Sequence, residues 1–111
     1  TQARLTDSRL YGNQYSAAQM MSELTDAVFA ADARGNVNTI RQNLQLEYVN
    51  QLAGMLRGPG AATYDHVSKS AAVASLKKIQ AQVATPVGDA ETRAHRQHVA
   101  LVVGQALDPK S

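Results

Sequence analysis

Residues 38–60 read NTIRQNLQLEYVNQLAGMLRGPG, from Asn38 to Gly60. Asn38 is a residue that caps helix starts, and Gly58-Pro59-Gly60 is a stop that no helix passes. The spacing between them predicts a helix running from near Asn38 to Arg57. Ile40, Leu44, Tyr48, Leu52, Met55 and Leu56 form the centre of its apolar arc, and Leu46, Val49 and Ala53 widen it. A helix with so broad an arc touches neighbours on more than one side, which predicts an all-helical bundle around it.

Three further helices follow from the same reasoning. Ser16-Ala17-Ala18-Gln19 reads as a capping box, after which Met20, Leu24, Val28 and Ala31 recur at helical spacing until Gly35-Asn36. Glu23 and Asp26 fall on the opposite side. A third helix is expected from about Asp65 to Ala84, with a stripe of Ala72, Leu76, Ile79 and Val83 opposed by Lys77 and Lys78. Thr85-Pro86-Val87-Gly88 breaks it, Asp89 caps a fourth, and that one ends before Pro109. The fold class read from this is all-α, an up-and-down bundle of about four helices over residues 16–111, preceded by an N-terminal arm, 1–15, with a turn at Tyr11-Gly12-Asn13.

Composition agrees. One domain of 111 residues buries enough surface to fold without staples, and 44% apolar residues with one Phe and no Trp suit closely packed helices. Eleven basic against nine acidic side chains give a formal charge of +2, too small and too scattered for a nucleic-acid surface. With no cysteine there is neither a disulfide framework nor a thiolate metal site. No run is long and apolar enough for a membrane span. The chain opens Thr1-Gln2-Ala3 without methionine, which is expected of a processed protein or a piece of a longer one.

Chemistry-bearing residues are few. On the fourth helix His95 and His98 are expected to share the inward arc with Ala94, Val99, Leu101, Val102 and Ala106, while Arg93, Arg96 and Gln97 point away. Two histidines at this spacing can share a metal, but zinc requires at least three protein ligands and no carboxylate joins them, so core packing is the favoured reading. His66-Val67-Ser68-Lys69-Ser70 looks a little like the segment of histidine phosphotransfer domains. It has Ser70 where those have Gly, and His66 falls near a helix start. Arg41 falls in the apolar arc of the second helix beside Gln45 and Tyr48, where a guanidinium needs a carboxylate or a set of carbonyls as partner. These three are read as an internal tie or, alternatively, as a contact point for another domain. Lys77-Lys78 reads as a solvated face, and Gly58-Pro59-Gly60 lacks the Lys-Ser/Thr of a phosphate loop.

Three blocks, LTDSRLYGNQYSAAQMMSELTDAVFAAD, NVNTIRQNLQLEYVNQLAGML and ETRAHRQHVALVVGQALDPK, together carry a resemblance. The features are Tyr15-Ser16 opening a helix, Arg41-Gln42-Asn43-Leu44-Gln45 followed by Tyr48-Val49, Thr92-Arg93 with His95, and the ending Ala106-Leu107-Asp108-Pro109. In these the chain resembles the extreme C-terminal helical region of large bacterial zinc-dependent metalloproteases, met-zincin-like proteins with several domains of unknown function. The resemblance covers most of the chain, and Gly58 to Ser75 matches least. It implies a peptidase parent exported to the periplasm, the cell envelope or beyond, whose zinc motif of three histidines and a catalytic Glu lies upstream. Zinc is thus implied for the parent, with no cofactor and no catalytic residue in this region. The implied partner is the remainder of the parent chain, contacted through Arg41, Gln45 and Tyr48. The alternative is a free-standing helical interaction module, the histidine phosphotransfer-like bundle included.

Overall fold

A computed structural model of the chain describes residues 18–109. The expected arm, 1–15, and the serine of the expected capping box lie outside the described residues. Within them the chain is all-helical: α1 over 18–28, α2 over Thr39–Arg57, α3 over His66–Val83 and α4 over Ala90–Leu107, with a single 3-10 turn at Ala61–Thr63. The expected caps are in place. Asn38 Oδ1 accepts from the Arg41 amide at 2.9 Å, Asp65 from Ser68 at 2.7 Å and Asp89 from Thr92 at 2.8 Å. Each satisfies an amide that the first helical turn leaves without a partner. Gly58 closes α2 by donating to the Gly54 carbonyl at 3.0 Å.

The inter-helix bonds give the topology. Tyr48 meets Thr25 while Arg41 meets Ala27, so α2 runs against α1. Lys78 meets Ser22 and Gln82 meets Phe29, which sets α3 parallel to α1. Gln45 meets His95 and Arg57 meets the Gln105 carbonyl, which sets α4 parallel to α2. Directions therefore alternate along the chain, as the up-and-down bundle requires. Helices α2, α3 and α4 pack mutually around Val49, Leu76, Ile79, Val99 and Val103, all fully buried, and α1 lies against α2 and α3. At one end the two interhelical loops touch. Gly35 and Gly88 both adopt left-handed backbone, φ 81° and 88°, and a Cβ on Gly88 would stand 2.9 Å from the Gly35 carbonyl oxygen. Asn36 Oδ1 accepts from the Asp89 amide at 2.8 Å, which fastens that contact.

The stripe on α3 is buried as expected, and on the other helices part of the expected face is buried while polar residues take the place of the rest. Of the expected α1 stripe Val28 is buried while Met20, Leu24 and Ala31 are exposed, and Thr25 and Phe29 are buried with Val28. On α2 Tyr48, Val49 and Leu52 face inward as expected, joined by Gln45, whereas Ile40 is 83% exposed and Leu44 46%. On α4 His95, Val99 and Ala106 are buried as expected, together with Thr92 and Val103, while Ala94, His98 and Leu101 face solvent. The physical reason is the same each time: Thr25, Gln45, Thr92 and His95 all find hydrogen-bond partners inside, and a satisfied polar group loses most of its cost of burial. Nor is Lys78 simply solvated, since it pairs with Asp26 at 2.6 Å and donates to Ser22 at 3.0 Å.

Candidate functional site

The fold gathers Arg41, Gln45 and Tyr48 where α2 crosses the end of α1. Arg41 Nη1 donates to the Ala27 carbonyl at 2.8 Å and to that of Val28 at 3.4 Å. These carbonyls belong to the last turn of α1, where the backbone has no amide ahead to bond and the helix dipole is negative. The guanidinium thus takes the carbonyl partners that its position demands. One turn on, Gln45 is buried, with Nε2 donating to the Val28 carbonyl at 3.0 Å. A turn further, the Tyr48 hydroxyl lies 2.6 Å from Thr25 Oγ1 and 3.3 Å from the Met21 carbonyl. Thr25 Oγ1 in turn contacts the Met21 carbonyl at 2.7 Å.

His95 reaches this trio from α4. Its Nε2 stands 2.7 Å from Gln45 Oε1. Because the Gln45 amide nitrogen is committed to Val28, the atom facing the ring is an acceptor, so Nε2 carries the proton and donates. Burial, then the neighbouring His98 and Arg96, holds the His95 pKa below its ordinary value and favours the neutral ring. In this tautomer Nε2 is committed to Gln45 and the ring's free lone pair is on Nδ1. His98, three residues on, is exposed, so the pair does not share one face. Among the described residues no three His, Asp or Glu side chains are grouped closely enough to hold a metal ion.

His66 is exposed in the first turn of α3, next to the Asp65 cap. Asp65 stays a carboxylate, its pKa lowered chiefly by the bond from the Ser68 amide, and it sets a negative charge where a phosphoryl group on His66 would need cations.

Arg96 belongs to the architecture as well, contrary to the outward position expected for it. Its guanidinium spans the end of α3, donating to the carbonyls of Thr85 at 2.7 Å and Gln82 at 2.5 Å. With Asp26, Phe29, Gln45, Gln82 and Val87 it lines an open cleft of about 440 Å³ between the ends of the helices. The residues that sequence reasoning passed over are Thr25 and Thr92, both buried, the latter accepting from the Val37 amide at 3.1 Å. Their signal was present: Met21, Thr25 and Val28 repeat at helical spacing one position along from the more apolar stripe. No buried side-chain nitrogen or oxygen among the described residues lacks a partner. Against known families, characterised proteins and solved structures, the chain matches none.

Proposed function

We propose that the chain is a non-catalytic accessory helical domain of a zinc-dependent metalloprotease, packing on the peptidase body or shaping access to its cleft. The sequence blocks described above support the family. The observation that carries the non-catalytic part is the chain of bonds from His95 through Gln45 to the Val28 carbonyl. It commits the buried imidazole to scaffold work, as the Arg41 and Tyr48 bonds commit those side chains. Arg41 is the member of the trio that is only half-buried, and it lines a shallow surface cavity with Asp32, Asn36 and Asn38, which makes it the residue best placed to meet a neighbouring domain.

The purified chain is expected to cleave no peptide and to hold no stoichiometric zinc by elemental analysis. One zinc per chain, lost in His95→Ala, overturns the reading. The gene tests the other half: an open reading frame with His-Glu-x-x-His-x-x-Gly-x-x-His upstream of Thr1 supports it, and nothing there but an initiator sinks it. Arg41→Met that folds normally but no longer binds the peptidase portion would assign the contact. The second reading, a phosphotransfer-like bundle, is favoured by the exposure of His66 alone. Incubation with acetyl phosphate and intact-mass measurement decides it, since only that reading gives an adduct abolished by His66→Ala.

A further inference from the structure

Between α1 and α2 runs an open apolar groove of about 550 Å³, walled by Met20, Met21 and Leu24 on one side and by Tyr48, Leu52 and Met55 on the other. All three methionines of the chain line it. Met20 is 67% exposed and Leu24 53%, large apolar side chains of the kind that mark a contact surface when they gather on one face. Flexible thioethers beside leucines adapt to an apolar helix laid along them. From Tyr48 to Met55 the α2 wall extends about 10 Å, roughly two turns of a docked helix. A second hollow, sharing Gln51 and Met55 and reaching Tyr64, continues it.

The charges beside the groove select what it takes. Glu23 follows Met20 by three residues and Glu47 precedes Gln51 by four, so each carboxylate shares a helix face with a groove residue, and both are exposed. Neither forms an ion pair among the described residues. Over residues 18–28 α1 carries no Lys or Arg, and the two arginines of α2 are engaged elsewhere, Arg41 on the Ala27 carbonyl and Arg57 on that of Gln105. The apolar strip is thus edged by negative charge alone. We propose that the groove binds an amphipathic helix of a partner protein, which seats its apolar side among the methionines and sets flanking Lys or Arg side chains on Glu23 and Glu47. A second copy of the chain fits worse, because paired across this face it brings like carboxylates together. An anionic lipid surface is repelled for the same reason. This inference does not depend on the peptidase reading.

The probe is a peptide of about fourteen leucines and lysines with the leucines at helical spacing, titrated into the full chain carrying 13C at its methionine methyls. Expected are saturable binding, shifts of all three methyl signals, and affinity about tenfold weaker for the same peptide with glutamate in place of lysine. Leu24→Glu and, separately, Met20→Glu distinguish docking from charge attraction. Each adds a carboxylate at an exposed position, so attraction alone would tighten binding, whereas a groove site loses about tenfold while the helical circular dichroism stays unchanged. Glu23→Gln combined with Glu47→Gln should weaken binding several-fold and remove most of its salt dependence. Methionine signals that stay in place at saturating peptide overturn the proposal. So does a glutamate peptide that binds equally well, or a lysine peptide that binds more tightly to both groove variants. Dimers of the peptide-free chain in sedimentation, dissolved by Leu24→Glu, would assign the groove to a second copy and likewise overturn it.

Discussion

The two sides of α2 make an instructive contrast. Toward α3 and α4 it presents Val49 and Leu52 to a region where Leu76, Ile79, Val99 and Val103 have no accessible surface. Toward α1 it presents Tyr48 and Met55 to a groove whose opposite wall is half open. Both sides are apolar in sequence, yet only one is closed within the described residues. The closed side derives its strength from dense contact, where each methylene is worth most. The join to α1 depends more on directed bonds, from Arg41, Gln45 and Tyr48 to the Ala27 and Val28 carbonyls and to Thr25.

That contrast can be broken by substitution. Leu76→Ala on the closed side should cost about 3 kcal/mol, read as a lower midpoint in urea unfolding, because the tight surroundings cannot collapse into the space. A loss below about 1 kcal/mol would mean that the closed side is looser than its burial indicates. Gln45→Ala should follow at about 2 kcal/mol, since it strands the buried His95 Nε2–H and leaves the Val28 carbonyl only the long bond from Arg41 at 3.4 Å. If His95→Ala in the same background costs as much again, the two side chains do not act as one bonded unit.

A smaller effect is expected from pH. His95 is neutral in the fold, with a pKa below the ordinary histidine value of 6.5. Above that value neither folded nor unfolded ring binds a proton, and the group adds no pH dependence. Below it the unfolded ring takes up a proton that the folded ring refuses, so stability falls as pH drops from 7 toward 5. His95→Gln should flatten this slope in a series of urea titrations, and an unchanged slope would assign it elsewhere. Asp65 and Asp89, whose pKa values are lowered by their cap bonds, add a further loss only as pH falls through the carboxylate range. Least of all, Ile40→Ser at the most exposed of the large apolar residues should shift stability by under about 0.5 kcal/mol. A larger loss would show that the α1 side of the molecule is covered there too.

Much of the fold was legible in the chain because its punctuation is strong. Asn38, Asp65 and Asp89 cap the helices expected of them, and Gly58-Pro59-Gly60 and Thr85-Pro86-Val87-Gly88 end them within a residue. The α3 stripe was legible because Lys77 and Lys78 opposite it leave one possible inward face. The full inward face of the other three helices was not, since hydropathy ranks Ile40 above Gln45 and Leu24 above Thr25 without knowing which polar groups will meet partners. Among the candidate site residues, Arg41, Gln45 and Tyr48 were identifiable as a set by their spacing on one helix, and the guanidinium's need for carbonyls was foreseeable from its position. The partners Thr25 and His95 were not, because they come from 20 residues before Gln45 and 50 after it.

The chain by itself determined four helices, their alternating course and the ends of α2, α3 and α4, because caps, glycines and prolines act over three or four residues and need nothing distant; α1, expected to continue to Gly35-Asn36, stops at Val28. Which polar residues of α1, α2 and α4 join the inward face was decided only in three dimensions. A buried amide or imidazole is costly alone and inexpensive when paired, and its partner is supplied by another helix once the bundle has closed.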